Sequence, residues 1–434
     1  MSMRISTSLM EQLGINAILK QQSKLSKTQL QISSGQRILT PSDDPSSAVR
    51  ALDLTESLET NRQFQSNIQA TRSRLEFEES ILAGADNVLQ RARELTVQSL
   101  NDSLGANDRL SISQEMQQLM DEMLGLANTR DANGEYIFAG FRSDAVPFAF
   151  DATRTPPSYD YQGDKNQRLL QIGPQRPMAD GDSGFAVFEN VPSSSGNKAV
   201  AASGGRQSIL NTLYSLTQAL KGSFTASNGA ILGTQDRSAG IDYSGGAVTF
   251  DLAVDGGAAV PVTIAAANYA TADDLVTAIN AGIGATALSG TVVAQHRSGF
   301  IEFVSATAGA TSSVTISNNG NNVLTDLGFT IPQTGTGADL TFYDAANAAL
   351  SDIDAALQNV LDTRASVGAR MNALDEQEDL HGKFIVDTQA TLSDIQDLDY
   401  AEAISRFNIQ EVALQAAQQA YVKVQGLSLF NYLR

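Results

Sequence analysis

The stretch LTESLETNRQFQSNIQATRSRLEFEESILAGADNVL, residues 54–89, sets Leu54, Asn61, Ile68, Leu75, Leu82 and Leu89 seven residues apart. Phe64, Thr71, Ala85 and Ala92 fill much of the companion position. A sustained seven-residue spacing is a coiled-coil seam. Burying each leucine or isoleucine is worth roughly 1.5–3 kcal/mol, so the seam supports a helix of about fifty residues only with a partner. The partner lies near the other end of the chain. Asp344 can cap a helix in which Leu350, Ile353, Leu357, Val360, Val367, Met371 and Leu374 alternate at steps of three and four, interrupted only at Arg364. Asn61 either fixes register at a cost in stability or is a water-exposed slip in the pattern, and the sequence leaves both open.

Outward from these seams, glycine and proline mark the boundaries. Only five of the 34 glycines lie in residues 1–130 and three in 345–434. Of ten prolines, Pro41 and Pro45 share one early turn and the rest fall between Pro147 and Pro332. Both residues are costly inside helices, so the chain divides into helix, insert, helix. Ser8-Leu9-Met10-Glu11 has capping-box form, which starts a first helix that reaches Ile32 and meets the turn Ser33-Ser34-Gly35. Asp44-Pro45 suits an N-cap and first helical position, so a second helix begins at Pro45. A third follows Asn107-Asp108 through Leu110, Met116, Leu119, Met123 and Leu126, folding back on the second. After the polar interval Asp375–Asp379 the periodicity returns through Ile395, Leu398 and Ile404, then Phe407, Leu414 and Tyr421. Asp394, Asp397 and Asp399 fit the start of this last helix.

Between the helical ends, short alternating runs bounded by turns predict strands. Tyr136–Ala139 and Val146–Phe150 read as a pair. Tyr159–Tyr161 and Arg168–Ile172 flank Gly163-Asp164-Lys165-Asn166, a hairpin connection. Ser193–Gly205 reads as an exposed loop and Gln207–Leu220 as a helix. A separate module follows in the order β-β-α-β-β: strands at 248–252 and 260–264, a capped helix at 271–280, then strands at 292, 300–304 and 314–316. The fold class is therefore mainly α, with long antiparallel coiled-coil-like helices from both termini and an inserted, β-rich, solvent-facing α+β region.

Composition excludes much chemistry. With no cysteine there are no disulfides, thiolate metal sites or cysteine nucleophiles. A net charge of −19 argues against nucleic acid, although residues 1–40 carry Arg4, Lys20, Lys24, Lys27 and Arg37 against Glu11 alone. No apolar run approaches the roughly 20 residues that cross a bilayer, and the opening residues lack the apolar core of a secretory signal, so no membrane partner is expected. His296 and His381 are the only imidazoles, and neither lies near a G-x-S-x-G nucleophile motif. His381 reads as a solvated side chain. The acidic run Asp375–Asp379 lacks the alternating oxygens and central glycine of a calcium loop and reads as a solvated helix face. No carboxylate pair stands out for glycosidic cleavage. Accordingly no catalytic residue, cofactor-binding residue, cofactor or metal ligand is assigned, and the chain is read as no enzyme.

Specific residues resemble a known family. Ser33-Ser34-Gly35-Gln36-Arg37-Ile38 followed by Asp43-Asp44-Pro45 resembles the signature of bacterial flagellin-family proteins, and Met3-Arg4-Ile5-Ser6-Thr7 looks like its hook-associated branch. Gly134–Gly140, Tyr161-Gln162-Gly163-Asp164, Ala413–Tyr421 and the ending Leu427–Leu433 are similar to that branch in the same order. Flagellins usually carry Asp-Asp-Ala where this chain has Asp-Asp-Pro, which favours the hook-associated branch over a filament subunit.

The resemblance implies a structural protein exported unfolded through the flagellar type III apparatus and secreted to the bacterial flagellum. It would act as an adaptor at the hook–filament junction. Its implied partners are copies of itself in a ring-like layer, a hook-associated protein below, flagellin above, and a cytoplasmic export chaperone on the C-terminal helix, where Phe407, Leu414, Tyr421 and Val424 would otherwise be exposed. The alternatives are a flagellin-type filament subunit or a surface glycan-binding or hydrolytic module. The expected organisation is terminal assembly arms at 1–42 plus 395–434, a helical core with a β-hairpin at 43–145 plus 340–394, and an insert at 146–339 containing the module at about 235–330. Ile5, Leu9, Leu13, Leu25, Arg37, Asp44, Phe407, Leu414, Tyr421, Leu427 and Phe430 are the expected assembly interface. Leu54, Asn61, Ile68, Leu75, Leu82 and Leu89 with Ile353, Leu357, Val360 and Met371 are the expected core seam.

Overall fold

A computed structural model describes the backbone of residues 7–193, 206–223 and 226–432, and side chains from residue 12 to 423 within those ranges. Helices α1 (Thr7–Ser34), α2 (Pro45–Ser99) and α3 (Ala106–Ala127) come first. Short strands β1 (Phe148–Asp151), β2 (Ser158–Tyr161), β3 (Leu169–Gln171), β4 (Pro177–Ala179), β5 (Val191–Pro192) and β6 (Arg206–Gln207) follow, with α4 (Ile209–Leu220) after them. The next region holds β7 (Ala226–Asp236), β8 (Ile241–Asp242), β9 (Val248–Val254), β10 (Val260–Ile264), β11 (Asn268–Tyr269), α5 (Ala272–Gly284), β12 (Val292–Arg297), β13 (Phe300–Ala308), β14 (Ser313–Asn319), α6 (Val323–Asp326), β15 (Gln333–Thr336) and β16 (Ala338–Asp339). Helices α7 (Phe342–Gln396) and α8 (Tyr400–Tyr432) return to the helical pattern. The chain forms two compact units, one of Met1–Ile68 with Asp375–Arg434 and the other of Gln69–Leu374.

In the first unit, α1 packs along α8. Gly35 ends α1 in the left-handed region at φ +71°, a conformation that costs glycine little. Pro45 opens α2 as its sequence predicts, because proline lacks only an amide with no partner there. The capping box closing α7's start has Thr341, not Asp344, as N-cap. The Asp344 amide donates to Thr341 Oγ1 at 3.1 Å, and the Thr341 amide donates to Asp344 Oδ2 at 3.1 Å. No break occurs at Asp375–Asp379, since α7 runs through it. Asp399 alone of the three spaced aspartates caps α8, accepting from the amides of Ala401 and Glu402 at 2.9 and 3.2 Å, whereas Asp394 lies within α7.

The seam in this unit resolves Asn61. His381 is not solvated but 2% exposed, because its ring fills a seam position beside Phe64, with centroids 5.3 Å apart. Its Nδ1 lies 2.7 Å from Asn61 Oδ1 and its Nε2 3.0 Å from Gln377 Nε2. Asn61 Nδ2 donates to the Ser57 carbonyl at 2.8 Å. With the proton on Nδ1, the ring donates to Asn61 Oδ1 and accepts from Gln377 Nε2. Ile68 is buried and Leu54 half-buried.

In the second unit, α2 and α7 run antiparallel, with Arg93 on Asp354 at 2.6 Å and Arg364 on Glu79 at 2.7 Å. Leu75, Leu82, Leu89, Ile353 and Val360 are buried, and Leu357 and Met371 half-buried. Arg364 interrupts the apolar pattern because it pairs with Glu79 and, at 3.4 Å, with Asp86. The third helix, α3, packs on α4.

Two strand pairings differ from the sequence expectation. Tyr136–Ala139 is not a strand partner of Val146–Phe150. Tyr136 makes one isolated bridge with Arg130, and β1 pairs with β2 in the register Phe148 with Tyr161. The cause is the aromatic core around Phe138, which meets Phe188 edge-on at 5.0 Å, while the Tyr161 hydroxyl shares its proton between the carbonyls of Phe138 and Asp164 at 2.8 and 2.7 Å. That anchoring draws residues 163–166 onto the 138–140 turn. They therefore join no hairpin, and β3 pairs with β4 instead. Gln207, expected at the start of a helix, lies in β6.

The module has the predicted order within two four-stranded antiparallel sheets, β10-β9-β14-β15 and β12-β13-β7-β16. Phe250, Phe303, Leu275 and Ile279 are fully buried between them and α5. Strand β7, which the sequence pattern did not suggest, occupies an interior sheet position. A Cβ at Gly229 would lie 2.5 Å from Ser313 Cα, and one at Gly233 would run into the Leu327 carbonyl oxygen. The strand must carry glycine where other backbone crosses it. The loop expected at Ser193–Gly205 lies, from residue 194, outside the described residues.

Candidate functional site

Most of the residues expected at the assembly interface lie on α1, α8 and the connectors beside them, in the first unit. There α1 and α8 form an antiparallel pair, fixed along its length by polar and small residues. Gly14 lies beneath Tyr421, where a Cβ would come 2.8 Å from the ring Cδ2. Buried Thr28 Oγ1 donates to Gln410 Oε1 at 2.9 Å. At the open end, the Arg37 amide donates to the Gln396 carbonyl at 2.7 Å, the Leu398 amide to the Gly35 carbonyl at 2.9 Å, and Arg37 Nη2 to the Ile395 carbonyl at 2.7 Å. The connector between α1 and α2 is thus hydrogen-bonded to the one between α7 and α8.

Charge sets the connector's shape. Lys27 pairs with Asp43 at 2.5 Å, and that hydrogen bond holds the Asp43 carboxyl below its ordinary range. Asp44 caps α2, accepting from the Ser47 amide at 3.1 Å and the Ser46 hydroxyl at 2.8 Å. The Ser47 and Ser46 contacts hold its pKa at about 2. An aspartate at a helix N-terminus is favoured by the same orphan amides that it satisfies.

Among the expected interface residues, Arg37 and Asp44 form these connector contacts. Leu25, Phe407, Leu414 and Tyr421 are half-buried, and Leu13 is 58% exposed. The side chains of Leu9, Leu427 and Phe430, and all of Ile5, lie outside the described residues. Sequence reasoning missed Gly14, Thr28 and Gln410, which carry no apolar signal. It also missed a second set of side chains that face away from the pair. Leu19, Leu30, Ile409, Val412 and Val422 are 57–66% exposed. Among the described residues α1 packs along α8, and Ile409, Val412 and Val422 on α8 remain exposed beside that contact.

Comparison with known proteins now defines the class. Residues 5–143 match the bacterial flagellin N-terminal helical region and residues 350–433 the bacterial flagellin C-terminal helical region. These are the two helical ends of a flagellin-type protein. The chain is 26% identical over 429 residues to flagellar hook-associated protein 3 of Escherichia coli (strain K12), covering 99% of each. It is 31% identical over 240 residues to the protein of that name from Salmonella typhimurium, covering 55% of this chain and 73% of the relative. A crystal structure of flagellar hook associated protein-3 from Legionella pneumophila aligns at 24% identity over 79% of this chain and 98% of that one, with a TM-score of 0.43, too loose a likeness to argue from. The chain belongs to the flagellar hook-associated protein 3 family, within the flagellins.

Proposed function

We propose that this chain is a structural adaptor of the bacterial flagellum, secreted and assembled at the hook–filament junction, and that it works by helix packing without catalysis. The observation that carries this reading is the likeness to hook-associated protein 3 along 99% of both chains, insert included, whereas the flagellin regions match only the ends. The geometry supports it, because the paired helices α1 and α8 present apolar side chains that a further helix would cover. Burying each such side chain is worth roughly 1.5–3 kcal/mol, enough in sum to drive assembly.

In this proposal residues 1–42 and 395–434 are the assembly arms, 43–145 with 340–394 the supporting core, and 146–339 the solvent-facing insert. Neighbouring copies in a ring-like layer cover the arms, with a hook-associated protein below and flagellin above. A cytoplasmic chaperone covers the C-terminal helix before export. Removing residues 405–434 is expected to leave a folded core that no longer joins hook to filament. Filaments of normal number on cells carrying only the truncated chain would overturn the assignment. Abundant homopolymer formation by the purified full chain would instead favour a filament subunit.

A further inference from the structure

Two stretches of the first unit carry opposite charge. From Gln12 to Ser34, α1 has Lys20, Lys24 and Lys27 and no acidic residue, whereas the last part of α7, from Asp375 to Gln396, has six acidic residues against Lys383 alone. Beside the acidic stretch runs an open groove of about 770 Å³, whose lining includes Gln65 of α2 and Asp379, Gly382 and Val386 of α7. Glycine destabilises a helix interior relative to alanine. The fold has room for a Cβ at Gly382, where the nearest atom would be Gln65 Nε2 at 3.8 Å. Packing within the chain therefore does not call for glycine there, but a helix lying in the groove would.

The two stretches match in spacing. On α1, Leu13, Ala17, Lys20 and Lys24 are exposed and share one face, at steps of four, three and four. On α7, Val386, Gly382, Asp379 and Asp375 share one face at the same steps in the reverse direction, with Val386 63% exposed. Laid antiparallel, Leu13 meets Val386, Ala17 meets the bare backbone at Gly382, and Lys20 and Lys24 meet Asp379 and Asp375. Exposed ion pairs add little affinity singly, but they set register and partner while the apolar and small pairs bring the helices together. This register cannot form within one copy. Gln36 bridges Asp397, whereas the register would place it about 50 Å away along α7, at roughly 1.5 Å per residue.

We propose that α1 of one copy lies antiparallel in the α2–α7 groove of a second copy, with Lys20 and Lys24 on Asp379 and Asp375 and Leu13 on Val386. The proposal rests on the reading of the chain as an assembling adaptor and gives the contact between copies a direction, since each copy offers α1 to one neighbour and the groove to another.

The chain has no cysteine of its own, so an introduced pair reports the contact directly. Purified full-length Leu13→Cys and Val386→Cys chains are mixed and oxidised, and the mixed disulfide dimer is followed on a non-reducing gel. A disulfide needs Cα atoms within about 7 Å. The dimer is expected to form at least tenfold faster than when Leu30→Cys, an exposed position outside the register, replaces Leu13→Cys. Lys20→Glu with Lys24→Glu in the first copy should slow it at least fivefold, and Asp379→Lys in the second should restore at least half of the lost rate. All variants should keep the circular dichroism of the parent. Equal rates from Leu13→Cys and Leu30→Cys, charge reversal that slows nothing, or slowing that Asp379→Lys does not relieve would overturn the proposal. Filament number in the truncation experiment tests the adaptor reading separately, so a chain that joins hook to filament without this register-dependent cross-link overturns the contact alone.

Discussion

Two side chains show what single residues contribute and how far sequence exposes it. Asn61 stands out because it breaks a leucine heptad, but its partner His381 is 320 positions away and no local pattern links them. Replacing Asn61 with leucine strands the imbedded imidazole donor, a cost of about 1–3 kcal/mol. Replacing both Asn61 and His381 with leucine should recover much of it. Urea unfolding of the single and double variants checks this, and a single variant as stable as the parent would contradict the pairing. The buried carboxyls give a second residue-scale prediction. Burial, reinforced by the Asp182 carboxylate, pushes Glu78 up to about 8, and burial pushes Glu189 to about 7 against the pull of Arg297. A carboxyl whose folded pKa is raised contributes stability that is complete below its unfolded value and is lost as pH rises through its folded value. Stability should therefore fall between about pH 5 and 8, by up to about 1.4 kcal/mol per pH unit for each group. Glu189→Gln should flatten the lower part of this decline. The lowered aspartates act elsewhere: the stability from Asp44 is present above the usual carboxylate range and lost as pH falls toward 2. A urea midpoint that is flat or rises across neutral pH would refute the assignment for the glutamates.

At the scale of elements, legibility followed periodicity. The long helices, the Pro45 start and the Gly35 stop were readable because apolar spacing and capping residues act within a few positions. Strand β7 was not, since ASNGAILGTQD offers small residues whose purpose is to let other backbone pass. Tyr136–Ala139 looked like a strand because its residues are apolar, yet they are held by the Tyr161 hydroxyl and by aromatic packing. Several side chains join the module to the rest of the second unit, among them Gln295, which exchanges hydrogen bonds with the Thr155 backbone, and Lys165. Lys165 Nζ lies 2.5 Å from Asp236, donates to the Ser298 carbonyl, and sits 4.7 and 4.3 Å from the ring centroids of Phe185 and Phe300. Burial lowers its pKa, but the Asp236 carboxylate opposes that shift and is itself held low. Lys165→Met should cost about 1–3 kcal/mol, because a partly buried hydrogen-bonded charge is lost. Amide exchange should quicken across residues 226–236 and 297–300 while α2 keeps its protection. Unchanged exchange in those strands would show that the contact does not hold the module.

For the whole molecule, the decisive fact is a division of labour that apolar patterning reveals only in part. A heptad seam announces that it needs a partner, and the chain supplies that partner in α7. Helix α8 carries apolar residues on two sides, and among the described residues α1 covers one of them. Spacing could pick out Phe407, Leu414 and Tyr421, whereas Ile409 and Val412 fall off that repeat and their exposure becomes visible only once α1 is in place. On the proposed function, this exposed face is where the adaptor joins its neighbours. The most direct measurement is to place Ile409→Asp with Val412→Asp in cells that lack the native chain, then count filaments by electron microscopy and assay the chain in the medium. The expected outcome is a purified variant with parent-like circular dichroism and melting, export into the medium, and cells whose hooks bear no filaments. Filaments in normal number on those cells would contradict it.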